Sequence, residues 1–545
     1  MFISISGIKI DPIKPDSLDW MFSTIAMEGM RQFLLLLLFG LLSPLAGAGT
    51  PSFPGGPGQY GVGLRVLPLL DRSRVYTDKT DPVTGAPAQG ERARPIQALV
   101  WYPADKHSGA ALRYGDYLRT AATEEVFGRD PAAIGAFVAT YMQENYSGLD
   151  QRQSKAALAQ PMLARRDGQP AHGKFPVVIY APGSSMSAHE NADLCEYLAS
   201  HGYIILASPS LGLHTRSINL DLESAESEAR DIAFLLGYAE TLPQADARHV
   251  AAMGYSFGGL ANVLAAARDD RISALISLDG SVRYFPSIVK QAAYATPERL
   301  ALPMLYLGGK PANAEAMSRA NDVATSYSLM NQMKYSDLYN VTMYTMEHAA
   351  FQGESLRLGP ETRFGEYSRD EALVAHGWMG RYARAFLDAY LRGDPAGLAF
   401  LANKPAANAV PAHLLAVDAR RSEGEPPTLA TMAAQYARQG HKDLEAVYRA
   451  LQRRDAGFKP NERALIAWGE KFLELKRHAE AVQIYQLATS LYPDSGRAVF
   501  YLAMTYDRNK DNAQALVAYR RVLVFLPDLD EARLAIARLE AATGK

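Results

Sequence analysis

The stretch Met253-Gly254-Tyr255-Ser256-Phe257-Gly258-Gly259 decides the fold that this sequence predicts. It follows a short apolar run at 250–252 and precedes a run at 260–266 that suits a helix. A strand, a tight G-x-S-x-G turn and a helix in this order form a nucleophile elbow, which presents a serine hydroxyl above the edge of a sheet. The flanking residues must be small because the strand and the helix crowd the turn. The stretch therefore predicts a reactive serine at Ser256.

Apolar runs alternate with helical patterns on both sides of this turn. The runs that predict strands are 95–103, 175–180, 203–207, 273–278, 303–307 and 341–345. The patterns that predict helices are 192–199, 222–240 and 369–392. Strands that alternate with helices of this length indicate an α/β fold, in which a mostly parallel sheet is covered on both faces. Ligands of such sheets bind at the carboxyl ends of the strands.

The α/β pattern extends over residues 60–421, with one interruption. Residues 106–172 are weakly helical and broken by charged residues and glycine, so we interpret them as an insertion and expect it to cover a pocket. Residues 49–59 are rich in glycine and proline, which predicts a flexible lead-in.

The tail at 428–545 follows a different pattern. Two sets of residues are related by an offset of 34 positions: Trp468, Ala481, Tyr485, Leu491 and Pro493, and Leu502, Ala515, Tyr519, Phe525 and Pro527. This period predicts tetratricopeptide-like repeats, which are pairs of stacked helices. Residues 428–460 resemble an earlier, degenerate copy, and 422–427 is the expected linker. Ordinary helical hairpins are the alternative interpretation.

The amino terminus carries a targeting pattern. An apolar run at 33–42 follows Arg31, and small residues at 46–48 match a cleavage site. The run is about half of the ~20 residues that a membrane span requires, so we expect residues 1–48 to be a signal peptide and the protein to be exported. An uncleaved anchor is the alternative. The basic segment begins only after Met27 or Met30, either of which is an alternative start.

Composition excludes several classes of partner. The net charge of the 545 residues is −2, and 21% of them are charged, which gives no electrostatic basis for binding nucleic acid. Cys195 is the only cysteine, so no intrachain disulfide and no cysteine-based metal site can form. No cofactor or metal is expected, and the default partners are small molecules or proteins.

A reactive serine needs a base to take its proton and an acid to orient the base. In hydrolases with such an elbow these residues follow in the order serine, acid, histidine. The strand at 303–307 continues into Gly308-Gly309-Lys310-Pro311 and has no carboxylate before Glu315, whereas the strand at 273–278 runs directly into Asp279. We therefore predict Asp279 as the acid, with a turn-capping aspartate as the alternative.

The predicted base is His348, which follows the strand at 341–345. His376 is the less suitable candidate because it lies inside a helical pattern. Four histidines that precede the elbow show no metal-ligand spacing, so we expect them to be structural or at the surface: His172, His201, His214 and His249. Of these, His214 could also line the pocket. The negative charge that develops on the attacked carbonyl oxygen needs N–H donors, which we expect from the main chain of Phe257 and Ser184.

Three segments resemble the platelet-activating factor acetylhydrolase branch of the α/β-hydrolases, which overlaps dienelactone-hydrolase-like proteins. They are the elbow at 254–259, Leu278-Asp279-Gly280 and His348-Ala349-Ala350-Phe351, with further likeness at 98–103, 177–184 and 198–203. The resemblance covers residues 60–400. It implies a serine esterase for short acyl groups that needs no metal or cofactor, with Ser256 as nucleophile, Asp279 as acid and His348 as base. Dienelactone hydrolases proper carry a cysteine at the elbow.

The expectation is therefore an exported serine hydrolase with an α/β-hydrolase fold and an all-α repeat array. Its expected substrate is a small-molecule ester, lipid-like esters among them, and the repeats are expected to bind a protein. Two alternatives remain. A peptidase of the prolyl-oligopeptidase type shares the elbow but carries its acid one strand later, where this chain has none. A non-enzymatic adaptor would use the repeats and keep the α/β domain as a scaffold.

Overall fold

The computed structural model describes residues 49–81, 83–309 and 328–543. In this part of the chain, eleven strands form one sheet. In chain order they are β1 (Gly61–Val75), β2 (Ala93–Ala104), β3 (Ala110–Arg113), β4 (Pro161–Arg166), β5 (Phe175–Ala181), β6 (Ile204–Ala207), β7 (Ala245–Tyr255), β8 (Ile272–Leu278), β9 (Met304–Gly309), β10 (Leu338–Met343) and β11 (Leu415–Arg420). Across the sheet their order is β11-β10-β9-β8-β7-β5-β6-β2-β1-β4-β3.

The strands from β10 to β6 pair in parallel, as the alternating pattern predicts. All seven residues of β5 are buried, because helices cover both faces of the sheet at this point. This explains why the central strands consist of continuous apolar runs instead of alternating apolar and polar residues. The strands β11 and β2 pair antiparallel with their parallel neighbours, and β1 continues antiparallel to β2.

Helices pack on the two faces of this sheet. They are α1 (Tyr114–Ala121), α2 (Pro131–Asn145), α3 (Gln151–Leu158), α4 (Ala192–Ser200), α5 (Leu222–Ala239), α6 (Phe257–Ala266), α7 (Pro286–Gln291), α8 (Ser328–Gln332), α9 (Gly353–Leu358), α10 (Arg369–Arg392) and α11 (Pro395–Ala402). One face of the sheet forms a hydrophobic core with α4 and α10. The opposite face forms a second core with α5 and α6.

The register of β7 and β8 determines where the predicted site forms. Tyr255, the last residue of β7, pairs with Leu278, the last residue of β8. The amide of Ser256 donates to the carbonyl of Leu278, at 3.1 Å. Ser256 and Asp279 therefore leave the sheet side by side, at the carboxyl ends of neighbouring parallel strands.

The segment at 106–172 is more than the helical insertion that its sequence predicts. It begins with β3 and ends with β4, which pair antiparallel with each other and extend the sheet beyond β1. The weak helical pattern therefore holds only for α1, α2 and α3. The two strands were missed because they are short, and because three of the four residues of β3 are exposed.

Residues 49–59, predicted as a flexible lead-in, pack against α4 together with Tyr60. The ring of Phe53 stacks on that of Tyr197, with ring centroids 4.3 Å apart. The amide of Gly58 donates to Ser200 Oγ at 2.9 Å, and the amide of Tyr60 donates to the carbonyl of Ser200 at 3.1 Å. The lead-in thus contributes contacts to the core on the face that carries α4 and α10.

The tail folds into helical pairs, as the 34-residue period predicts. They are α12 (Leu429–Arg438), α13 (Leu444–Arg454), α14 (Glu462–Glu474), α15 (His478–Leu491), α16 (Gly496–Arg508) and α17 (Asn512–Phe525), followed by α18 (Asp530–Thr543). Ala481 and Ala515, which occupy the same position in successive repeats, are both fully buried. Small side chains there let the two helices of each pair pack closely.

The predicted signal peptide lies outside the described residues. In the part of the chain that the structure covers, no helix has both the length and the apolar character that a membrane span needs.

Candidate functional site

Ser256 lies between β7 and α6 in a strained turn. Its backbone angles are φ 51° and ψ −119°, a combination that L-residues rarely adopt. A Cβ atom on Gly254 would lie 2.5 Å from the carbonyl carbon of Gly258, and one on Gly258 would overlap the carbonyl oxygen of Ala181. The glycines are therefore required by packing, and the turn has the geometry of a nucleophile elbow.

The structure brings the three predicted residues together. His348 Nε2 lies 3.0 Å from Ser256 Oγ, and His348 Nδ1 lies 2.6 Å from Asp279 Oδ2. The three side chains come from the ends of β7 and β8 and from the loop after β10, separated by 92 and 69 residues from His348. This is the arrangement in which a histidine can accept the serine proton while a carboxylate orients the ring.

Asp279 is buried and held by further hydrogen bonds. The hydroxyl of Tyr284 donates to Asp279 Oδ1 at 3.0 Å, and the amide of Gly309 donates to the same oxygen at 3.1 Å. Burial by itself raises the pKa of Asp279, but the interactions with His348, Gly309 and Tyr284 outweigh it and lower the pKa below the ordinary value. Asp279 is therefore a carboxylate at neutral pH, able to accept from His348.

His348 is positioned by Tyr255, the residue before the serine. The two rings stack with centroids 4.9 Å apart, and the hydroxyl of Tyr255 donates to the carbonyl of His348 at 3.1 Å. The elbow therefore supplies both the serine and a support for the histidine.

The expected oxyanion donors come from two segments, the start of α6 and the turn after β5. Phe257 is the first residue of α6, where an amide has no acceptor within the helix. Ser184 follows β5 in the turn that Met186 closes by donating its amide to the carbonyl of Gly183, at 3.0 Å. Within the described residues neither the Phe257 amide nor the Ser184 amide donates to another group of the chain. Both are therefore available to a negatively charged oxygen.

A cleft of about 940 Å³ opens above these residues. Ser184, Ser256 and His348 are among the residues that line it. Phe137 and Tyr141 of α2 and Tyr146, which follows α2, also line the cleft and form an aromatic wall. This wall agrees with the expectation that the insertion covers a pocket.

The wall is anchored by contacts that sequence reasoning missed. The hydroxyls of Tyr141 and Tyr146 donate to Glu354 Oε1 at 2.5 and 2.6 Å, and His189 Nε2 lies 3.2 Å from Glu354 Oε2. Burial raises the pKa of Glu354, but His189 and the two tyrosines outweigh it and lower the pKa below the ordinary value. A fully buried carboxylate on α9 therefore ties α2 to the body of the domain.

None of the other histidines named above lines the cleft. His376 is buried in α10, with Nδ1 at 3.0 Å from the carbonyl of Ala350, and burial lowers its pKa to about 4. His214 Nδ1 lies 3.0 Å from the carbonyl of Tyr76, and the residue is not part of the cleft wall. In the described ranges, no three His, Cys, Asp or Glu side chains are grouped so that they could hold a metal ion.

Known proteins share parts of this architecture. Residues 132–289, from α2 into α7, match the family model described as Chlorophyllase, and residues 497–527 match the model of the tetratricopeptide repeat. One similar solved structure is the ferulic acid esterase from Streptomyces cinnamoneus, with 21% identity and a TM-score of 0.45 over 68% of this chain and 99% of that chain. No curated protein sequence matches the chain. The protein combines an α/β-hydrolase fold with tetratricopeptide repeats.

Proposed function

We propose that this protein is a serine hydrolase that cleaves carboxylic esters through an acyl-enzyme. The observation that carries the proposal is the hydrogen-bonded series Ser256–His348–Asp279, with separations of 3.0 and 2.6 Å. A serine hydroxyl is a weak nucleophile, and this arrangement is the usual way to activate it. The match of residues 132–289 to the Chlorophyllase model supports ester hydrolysis in particular.

In the first half of the proposed reaction, Ser256 Oγ attacks the ester carbonyl carbon while His348 Nε2 takes the hydroxyl proton. The tetrahedral intermediate then collapses, the bond to the alcohol oxygen breaks, and His348 returns the proton to the departing alcohol. Asp279 keeps the proton of the neutral imidazole on Nδ1 and stabilises the imidazolium that forms. A water molecule, deprotonated by His348, then attacks the acyl-enzyme and releases the acid.

The negative charge of the intermediate is proposed to be stabilised by the amides of Phe257 and Ser184. Phe257 directly follows Ser256 in the chain, Ser184 lines the same cleft as Ser256, and neither amide donates to another group in the described part of the chain. Loss of one such donor costs about 10²–10³ in rate in other hydrolases, so these two groups would supply a large share of the catalysis.

The substrate that we propose is a small-molecule ester with a short acyl group, lipid-like esters among them. The aromatic wall formed by Phe137, Tyr141 and Tyr146 favours an apolar group beside the scissile bond. The resemblance to the acetylhydrolase branch supports a short acyl chain. The repeats are proposed to bind a protein partner, as their stacked helices suit. The signal peptide at 1–48 is proposed to direct export.

The experiment that tests this function combines a fluorophosphonate probe, which reacts with activated serines, and p-nitrophenyl esters of increasing acyl length. We expect the full chain to be labelled and to hydrolyse the acetyl and butyryl esters fastest. Ser256→Ala should abolish both signals, while the circular dichroism spectrum stays unchanged. Ser217→Ala is the control, since Ser217 is exposed and lies outside the cleft.

The outcomes separate the rival functions. Labelling that Ser256→Ala does not remove would contradict the assignment of the nucleophile. A wild-type protein that is neither labelled nor active would favour the adaptor, and cleavage of prolyl peptides in preference to esters would favour the peptidase.

A further inference from the structure

Three consecutive buried residues, His189, Glu190 and Asn191, join the two loops that the proposed reaction depends on. All three have no solvent-exposed surface. They lie between the turn after β5, which carries Ser184, and the segment that follows His348. Glu190 is the one member whose side chain contacts both of these segments.

On one side, Glu190 holds the turn after β5. Glu190 Oε1 accepts from the amide of Gly183 at 2.9 Å and from the hydroxyl of Tyr180 at 2.6 Å. Gly183 immediately precedes Ser184, and a Cβ atom on Gly183 would lie 3.0 Å from the ring of Tyr255. The turn is therefore packed against the elbow on one side and bonded to Glu190 on the other.

On the other side, Glu190 holds the segment after His348. Its Oε2 accepts from Gln352 Nε2 at 3.1 Å, and its main-chain carbonyl accepts from the amide of Glu354 at 2.9 Å. Gln352 lies on the cleft wall, four residues after His348. One buried carboxyl group thus bridges the segments that supply the oxyanion donor and the base.

The consequence follows from the geometry of a peptide chain. The Gly183 amide is fixed by Glu190, and the Gly183 carbonyl accepts from the amide of Met186 at 3.0 Å. The Ser184 amide belongs to the peptide group that contains this carbonyl, so its direction is set by these two bonds. Donors that are oriented before the substrate binds stabilise developing charge without a cost of reorganisation.

We propose that Glu190 is a positioning residue, which orients the Ser184 amide toward the oxyanion and sets its position relative to His348. The inference rests on the proposed function, because it assigns a further residue to that reaction. Glu190 itself does not line the cleft and does not touch the reacting atoms. Its effect is therefore expected on the rate of the chemical step and not on substrate binding.

The test compares Glu190→Ala with Glu190→Gln. The Ala variant loses every side-chain acceptor for the Gly183 amide, whereas the Gln variant keeps one carbonyl oxygen in its place. We expect Glu190→Ala to lower kcat by about 10- to 100-fold with KM within twofold, because the donor is displaced and not removed. Glu190→Gln should restore most of this loss. The rate of fluorophosphonate labelling should fall in parallel, since its phosphoryl oxygen occupies the same position.

The amount of probe bound when labelling is complete gives the number of molecules with a reactive Ser256. Dividing the rate by this number gives kcat per labelled site, to which misfolded protein does not contribute. Glu196→Ala is the matched control: Glu196 is a buried glutamate of α4 that likewise accepts from a tyrosine hydroxyl, that of Tyr117, and from a main-chain amide, that of Leu163, but does not line the cleft. Its kcat per labelled site should stay within threefold of the wild-type value.

A kcat for Glu190→Ala within twofold of the wild-type value, a loss confined to KM, or an equal loss in Glu196→Ala would each overturn the inference. These outcomes leave the proposed function intact as long as activity still depends on Ser256. Absence of Ser256-dependent activity in the wild-type protein would instead overturn both.

Discussion

Asp279 Oδ1 accepts a hydrogen bond at 3.1 Å from the amide of Gly309, the last residue of the neighbouring strand β9. The acid of the site therefore comes from β8 and lies over the end of β9. A Cβ atom on Gly308 would lie 2.6 Å from the ring of Tyr306 and 3.4 Å from Asp279 Oδ1. The two glycines that end β9 therefore accommodate Asp279: Gly308 leaves room for its carboxylate, and the amide of Gly309 binds it.

Replacement of this acid tests its role directly. Asp279→Asn keeps the shape of the side chain but presents an amide to His348 Nδ1, which favours the wrong tautomer of the ring. We expect kcat for p-nitrophenyl acetate to fall by about 10³-fold or more, with labelling of Ser256 slowed to a similar degree. Asp270→Asn, at an exposed position just before β8, is the control and should be fully active. Activity within tenfold of wild type in Asp279→Asn would show that another acid serves His348.

The close packing of the turn around Ser256 leads to a prediction about stability. Gly258→Ala places a methyl group against the carbonyl oxygen of Ala181, so the helix α6 must move away from β5. We expect a loss of at least 3 kcal/mol in the free energy of unfolding, roughly the upper range for overpacking, together with loss of activity.

Gly237→Ala is the matched control, because a Cβ there meets no atom within 4 Å. It lies in α5 and should stabilise the protein by about 0.5–1 kcal/mol. Chemical denaturation of both variants measures the difference.

The proximity of Ser256, Asp279 and His348 could be predicted from the sequence because parallel strands bring distant residues to one edge. Each of the three follows a segment that the sequence predicts as a strand, and the carboxyl ends of such strands meet. The absence of a carboxylate after β9 then selected Asp279. Local sequence was sufficient here, since each residue is defined by the strand that precedes it.

The contacts that hold the cleft wall in place could not be predicted from local sequence. Tyr141 and Tyr146 meet Glu354 across 213 and 208 residues, and no local pattern encodes which buried carboxylate they contact. The strand β1 was missed for a related reason: its fifteen residues include an exposed charged end and a proline, and only the pairing with β2 makes it a strand. Tertiary contacts decide such cases.

The aromatic wall should affect substrate binding more than chemistry. In the double variant Tyr141→Phe/Tyr146→Phe, Glu354 loses two hydrogen-bond donors, so α2 is held less firmly over the cleft. We expect the free energy of unfolding to fall by about 3–6 kcal/mol, since bonds to charged groups contribute roughly 1.5–3 kcal/mol each. KM for octanoyl and longer esters should rise several-fold, whereas kcat for the acetyl ester should change less than threefold.

The matched control for this pair is Tyr294→Phe, which removes a similar bond, from Tyr294 Oη to Glu226 Oε1 at 2.6 Å, away from the cleft. Tyr294 is only half-buried, so the loss should be below about 1 kcal/mol, with unchanged KM. If KM for long esters stays the same in the double variant, α2 does not contact the substrate.

Glu228 leads to a pH-dependent prediction. The residue is buried in α5, where Ser210 Oγ donates to its Oε2 at 3.1 Å, and burial raises the pKa of Glu228 to about 8. The folded protein therefore keeps this proton at pH values where the unfolded chain, with an ordinary pKa near 4.5, has lost it. The stability that this proton contributes is fully present below pH 4.5 and is lost as the pH rises toward 8.

Glu228→Gln removes this dependence, because the amide is neutral at every pH and retains an oxygen for Ser210. We expect the variant and the wild type to be equally stable near pH 5. The variant should become more stable as the pH rises, by on the order of 3 kcal/mol at pH 8. Urea denaturation between pH 5 and 9 measures the difference, and Glu223→Gln, at an exposed position in the first turn of α5, controls for removal of a charge from the same helix. A stability difference that does not grow with pH would mean that Glu228 is already ionised in the folded protein at pH 5.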